Sequence, residues 1–342
     1  SSASAISRIS GSVSVSSSVR ATLPTFTSVI GVGGRRAGLR LGRYGHPSAA
    51  PMALGDSGAE DEFAMTVGER GVGGLGRKRR GAAVDADVDP QAPRRKTGGA
   101  GAKVVKHGNR AASSKSGSAD LLENLGINIS LDGKGVAETF EKLGIGFCFA
   151  PVFHPAMRFA GPARKELAVP TVFNILGPLA NPAQPKAAAI GVANDRMHLV
   201  MAQVLHDKGV DGFVFRGDDG LDEITLATTT SVLTIGKGEI SSDLLDPLDF
   251  GMQRAPVSEL AGGDGAENSR ITTAIFAGEK GAPRDAVVLN AAAAIAAYDA
   301  RFDLNLHERI ALGVERATAA IDSGAATELV KKWAQLSQKL GA

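Results

Sequence analysis

Hydrophobic positions are irregular up to about residue 100 and regular after it. Val136, Phe140 and Leu143 recur at the spacing of a helix face, and Gly144 ends that run; residues 145–150 follow as a short apolar strand closed by Pro151. Residues 187–192 predict a strand, 197–208 a helix ended by Gly209, and 210–215 another strand. Residues 225–235 are rich in threonine and β-branched side chains and predict strand, turning through Gly236, Lys237 and Gly238. Three helices, 285–298, 307–321 and 325–340, close the chain. Strand–helix alternation followed by terminal helices predicts an α/β domain over 100–342, with a mixed, mainly parallel sheet flanked by helices.

The first hundred residues read differently. Residues 1–55 are rich in Ser, Ala and Arg, contain no acidic residue, and show neither structural period, which is the composition of an organelle transit peptide; a disordered tail is the plainer alternative. Residues 56–99 combine Gly, Ala, Pro and Arg with no period at all. Those residues are encoded by G- and C-rich codons, so GC-rich DNA read out of frame yields the same mixture. A disordered linker or a basic tail built on Arg77, Lys78, Arg79 and Arg80 are the rival readings.

Composition narrows the classes further. With 43% hydrophobic residues in 342, the chain can bury a sizeable core. No uninterrupted apolar run reaches membrane-spanning length, since the longest, 286–298, is mostly alanine and is broken by Asn290. A formal net charge of +2 does not favour nucleic acid as partner. The lone Cys148 excludes an internal disulfide and a cysteine-cluster metal site.

Four polar clusters interrupt the regular part. In the first, Lys106, His107, Asn109, Arg110, Ser113, Ser114, Ser116 and Ser118 follow an apolar run ending at Val105 and precede a helical pattern. Lysine, hydroxyls and backbone N–H groups can converge there on a phosphate, or the stretch is a basic, Ser-rich surface loop. In the second, His154, Met157 and Arg158 follow a strand; packing between Phe153 and Pro155 is the plainer role for His154. In the third, Arg164 precedes a stiff segment carrying Pro170, Gly177, Pro178 and Pro182. Its guanidinium fork fits a substrate carboxylate, or pairs with Glu166. The fourth places Asp218, Asp219, Asp222 and Glu223 within six residues after a strand. Such carboxylates are solvated or share a hard cation, and Asp222 and Glu223 are the best pair for Mg²⁺.

Four stretches taken in order carry a resemblance: residues 106–114, 172–182, 217–223 and 284–291. Together they resemble the anthranilate phosphoribosyltransferase family, over roughly residue 101 to the C-terminus. The resemblance implies a fold like that of the pyrimidine nucleoside phosphorylases, with a small helical domain through which the family usually forms homodimers. It also implies transfer of phosphoribosyl from phosphoribosyl diphosphate to anthranilate, in tryptophan biosynthesis. Carried over by motif, Lys106, His107, Gly108, Asn109, Arg110, Ala111, Ala112, Ser113, Ser114 and Ser118 would line the phosphoribosyl diphosphate site. Asn109, His107, His154 and Met157 would lie at the anthranilate pocket, Arg164 would hold its carboxylate, and Asp222 and Glu223 would bind Mg²⁺. No residue is implied as acid or base, because an arylamine is already neutral near neutral pH.

One family motif is lacking. A Gly-Thr-Gly-Gly-Asp phosphate loop is expected some way ahead of Lys106, whereas Thr97, Gly98, Gly99 and Gly101 supply glycines without the acid and too close to Lys103. The irregular stretch also stands where the small helical domain is expected. With the leader, a plastid location follows, the cytoplasm being the alternative. The competing functions are a pyrimidine nucleoside phosphorylase and a non-catalytic relative that binds nucleic acid through its basic runs.

Overall fold

In the computed structural model of the chain, residues 30–32, 99–111, 115–167 and 171–342 are described. The strands are β1 (Ile30–Val32), β2 (Val104–Gly108), β3 (Ile145–Phe149), β4 (Ala187–Gly191), β5 (Asp211–Gly217), β6 (Thr230–Gly236) and β7 (Glu239–Leu245). They form one sheet in the order β3-β2-β1-β4-β5-β6-β7. The sheet is mixed, as the alternation predicts. Its parallel pairs are β2 with β3 and β4 with β5, and the remaining pairings are antiparallel. The parallel share is therefore smaller than predicted, because β1 runs against both its neighbours and the β6–β7 hairpin extends the edge.

One interior strand, β1, comes from an unexpected place. Ile30, Gly31 and Val32 stand opposite Lys106, Val105 and Val104 on one side and Ala189, Ala188 and Ala187 on the other. They belong to the stretch read as a structureless leader. The rest of that leader, the irregular stretch up to residue 98 and the out-of-frame reading lie outside the described residues.

Most elements form where periodicity places them. Helix α1 (Ser118–Asn124) follows the first polar cluster; α2 (Gly133–Leu143) starts at Asp132, whose carboxylate accepts from the Gly135 N–H at 2.9 Å, and ends at Gly144 with φ 75°. Ahead of β4, Pro151, Pro162 and Pro178 fall in three short helices, α3 (Ala150–Phe153), α4 (Gly161–Leu167) and α5 (Val172–Leu179). Pro151 thus opens α3 as well as closing β3, since a proline lacks only an N–H that a first turn leaves unpaired anyway. Helix α6 (Asp195–Asp207) links β4 to β5, and the β6–β7 turn uses Lys237 at φ 53° and Gly238 at φ 80°, the two left-handed positions of a tight hairpin. The chain continues through α7 (Gly265–Phe276), not anticipated, then α8 (Ala282–Asp299), α9 (Leu306–Asp322) and α10 (Ala325–Leu340).

Both faces of β4 and β5 are covered. Ala187, Ala189, Phe213 and Phe215 pack with the alanine-rich α8, while Ala188, Ile190 and Val214 pack with Met201, Ala202 and Leu205 of α6. Alanine dominates α8 because α9 crosses it closely: a Cβ on Gly313 would meet the backbone of Ala292. Strands buried on both sides hold their carboxyl ends rigid, and the polar clusters hang from those ends.

Candidate active site

Strand β2 does not stop at Val105. It runs through Lys106 and His107 to Gly108, in register with Phe147, Cys148 and Phe149 of β3. Both basic residues are therefore strand residues, buried to 5% and 6% exposure. Lys106 also borders an apolar cavity of about 200 Å³ lined by Val104, Phe147, Ala291 and Trp333 among others. Such a lining suits no diphosphate, but it accounts for the lysine's environment. Burial pushes the Lys106 ammonium down to about 8, and the negative charges of Glu223 and then Asp222 oppose that shift. Lys106 and the acidic loop after β5 thus act on each other at one rim of the sheet.

The acidic loop is divided between structure and site. Asp218 accepts from the hydroxyls of Thr229 and, at 3.0 Å, of Ser231; Asp219 accepts from the Thr225 hydroxyl at 2.7 Å and the Leu221 N–H at 3.1 Å. Those two carboxylates shape the turn. Asp222 and Glu223 are the two whose negative charge reaches Lys106. Two further residues hold the loop in place and were not singled out from the sequence. Gly191, at the end of β4, lets the loop cross it, since a Cβ there would overlap the Asp222 carbonyl. Asn290 of α8 is fully buried and accepts from the Ile224 N–H at 2.9 Å while its amide donates to the Ile224 carbonyl at 2.9 Å. An asparagine inside an otherwise apolar alanine-rich run was the available signal.

Next to Lys106, the two histidines meet. His107 Nδ1–H donates to the Gly177 carbonyl at 3.0 Å, and its ring stands edge-on to His154, 4.9 Å between centroids. Burial pushes His107 down to about 4, against the raising effect of the Gly177 bond. Its Nε2 is consequently an unprotonated acceptor. The Nε2 atoms of both rings are buried without a partner among the described residues. His154 is half-buried beside His107. Met157 lies one turn further on, half-buried.

Other predicted site residues are spent locally. The Arg110 guanidinium is paired with Glu123, Nη2 to Oε1 at 2.6 Å, over the Phe149 ring. Asp120 accepts from the Ala111 N–H at 3.0 Å and the Gly117 N–H at 2.7 Å, so two N–H groups that could cradle an anion are taken. Asn109 is exposed and its Oδ1 accepts from the Arg110 N–H at 2.8 Å. Gly108 lies against Ser118, where a Cβ would come within 2.6 Å of the hydroxyl. Ala112, Ser113 and Ser114 lie outside the described residues, and Arg164 is placed on α4 by its backbone alone.

No group of three or more metal-ligating side chains occurs among the described residues. Asp222 and Glu223 nevertheless fit Mg²⁺, which is held through one or two carboxylates and completed by water and phosphate oxygens.

A lysine at the end of one parallel strand pair facing two carboxylates at the end of the other is the plan of an α/β domain for group transfer from a charged donor. The profile described as "Glycosyl transferase family, a/b domain" matches residues 97–327. The chain belongs to this family, on the branch of the anthranilate phosphoribosyltransferases. It is 52% identical over 240 residues to an anthranilate phosphoribosyltransferase of Rhodococcus jostii, covering 70% of this chain and 66% of that one, just under two thirds. It is 50% identical over 247 residues to one of Nocardia farcinica, covering 71% and 72%. Among solved structures, anthranilate phosphoribosyltransferase from Thermus thermophilus has a TM-score of 0.64 at 41% identity, covering 70% of each chain. The Saccharomyces cerevisiae protein in complex with PRPP and Mg has a TM-score of 0.62 at 26% identity, covering 70% of this chain and 66% of that one.

Proposed function

We propose that the chain transfers the phosphoribosyl group of phosphoribosyl diphosphate to the amine of anthranilate, releasing diphosphate, with Mg²⁺ at Asp222 and Glu223. The observation that carries this reading is that the sheet brings the carboxyl ends of β2, with Lys106, and of β5, with the acidic loop, to one rim. As the bond to diphosphate breaks, positive charge grows on the ribose carbon and negative charge on the leaving group. Mg²⁺ supplies charge neutralisation at the diphosphate when bound. The Lys106 ammonium, charged at neutral pH though lowered, adds a second cation beside it. Residues 107–114 and Ser118 extend the donor side. Arg164 holds the anthranilate carboxylate and Asn109 orients the ring. His107, His154 and Met157 line the wall of the anthranilate pocket. No general base is needed, because the nucleophilic nitrogen already carries its lone pair.

The assay is loss of anthranilate fluorescence in the presence of phosphoribosyl diphosphate, using the full chain. Mg²⁺-dependent consumption is expected, and Arg164→Ala is expected to raise KM for anthranilate about tenfold or more while moving KM for the donor little. No turnover in the full chain at any Mg²⁺ concentration would remove the catalytic reading, and a larger effect on the donor would reject the role of Arg164. A plastid location rests on the leader's composition, and import of a fluorescent fusion tests it. Dimerisation through a small helical domain would draw on residues ahead of the matched range.

A further inference from the structure

Arg309 of α9 is a buried cation with no counter-ion in contact among the described residues. It is 4% exposed, with its guanidinium carbon over the rings of Phe213 and Phe302, 4.7 and 4.8 Å from their centroids. Among the described residues it makes one hydrogen bond, from Nη2 to the Ala296 carbonyl at 3.5 Å, the outer limit of such a contact, and its Nε is buried with no partner. Asp211 and Asp303 act on it only through space, and Asp303 is already held by Arg301 at 2.6 Å. Buried charges are ordinarily paired, because desolvation is otherwise uncompensated.

This arginine lines an open cavity of about 250 Å³, together with Thr234, Lys237, Glu239 and Asp243. The Thr234 hydroxyl is also buried without a partner among the described residues. A single water takes about 30 Å³ of liquid volume, so the cavity has room for a small organic ligand. The guanidinium carbon lies over both rings, which leaves its N–H groups for a partner, and their planar array matches a carboxylate. The rim carries two carboxylates, and Lys237 already donates to the Phe302 carbonyl at 3.3 Å. A dianion such as phosphate would face those carboxylates, whereas an ammonium group would be attracted to them.

We propose that this cavity binds a small zwitterion of the amino-acid class, its carboxylate on Arg309 and Thr234 and its ammonium towards Glu239 and Asp243. The site is separate from the catalytic rim. Thr234 stands opposite Phe213 at the start of β5, while Gly217, which opens the acidic loop, is at the other end of that strand. The proposal is thus independent of the transferase reading.

Calorimetric titration of the full chain with glycine, L-alanine, L-serine, L-leucine, acetate and methylamine tests it. At least one amino acid is expected to saturate below about 10 mM and to bind about tenfold more tightly than acetate or methylamine. Thr234→Val keeps the side-chain shape, and Glu239→Gln changes an exposed rim position. Each is expected to weaken that binding severalfold with the thermal midpoint unchanged. No saturation by any of the four amino acids, acetate binding equally well, or variants that bind like the parent would each overturn the proposal, leaving a solvent-filled cavity.

Discussion

Burial governs the titration of both basic residues at the end of β2, and the two consequences fall at opposite ends of the pH range. The His107 ring has its pKa lowered from 6.5 to about 4. Between those values the unfolded ring binds a proton that the folded ring refuses. The stability that comes from keeping the ring neutral is complete above pH 6.5 and is lost as pH falls towards 4. By linkage the full shift corresponds to about 3 kcal/mol. Urea midpoints measured from neutral pH down to 4 are therefore expected to fall more steeply for the parent than for His107→Gln, which has no proton to gain. Parallel curves would mean that the ring is hydrated in solution. For Lys106 the folded value of about 8 lies below the unfolded 10.5. Its burial cost is complete below pH 8 and eases as pH rises from there to 10.5, while at neutral pH the ammonium remains charged for a diphosphate.

At the scale of elements, the site depends on how the loop after β5 is tied to α8. Asn290 closes a reciprocal pair with both backbone groups of Ile224 and also donates to the Ala286 carbonyl at 3.0 Å. Asn290→Ala leaves two buried backbone groups unpaired, at about 1–3 kcal/mol each. A loss of about 2–6 kcal/mol in unfolding free energy is expected, together with a higher Mg²⁺ concentration for half-maximal activity, since Asp222 and Glu223 precede the tie directly. A stability loss with unchanged Mg²⁺ dependence would show that the tie supports the core and not the site. Such ties are long-range, and this is where the sequence was hardest to read. The elements with a clean period, such as α2 up to Gly144 and the β4–α6–β5 unit, were legible because apolar spacing reports burial directly. Strand β2 was cut short at Val105 because Lys106 and His107 are polar yet buried, and a hydrophobicity pattern has no way to mark that. Helix α7 was missed because Gly265, Asn268 and Ile275 are its buried positions, and only one of them is apolar. Asp222 and Glu223 stood out as a pair by charge density, but their partner lies more than a hundred residues earlier and is found only through the sheet order.

For the molecule as a whole, the decisive position is the interior strand β1. Strand β2 carries Lys106 and the parallel pair β4–β5 carries the acidic loop, and β2 and β4 are not neighbours: β1 lies between them, hydrogen-bonded to both. Three residues from the leader-like stretch therefore set the spacing of Lys106 from the acidic loop. An organelle leader is normally removed, and cleavage near residue 55 would take β1 with it, exposing two strand edges at the centre of the domain. If the folded protein keeps β1, its mature N-terminus must lie ahead of Ile30, and N-terminal sequencing of the processed protein would find it there. Gly31→Pro removes a ladder donor from a central strand, where proline is not tolerated. A loss of one to two kcal/mol from that strand corresponds to a fall of roughly 5 °C in Tm for a domain of this size. The same substitution should reduce Mg²⁺-dependent turnover more than Val13→Pro, made earlier in the same sequence stretch. Equal behaviour of the two variants, or full stability in a chain lacking residues 1–55, would mean that the centre of the sheet is closed by something other than Ile30–Val32.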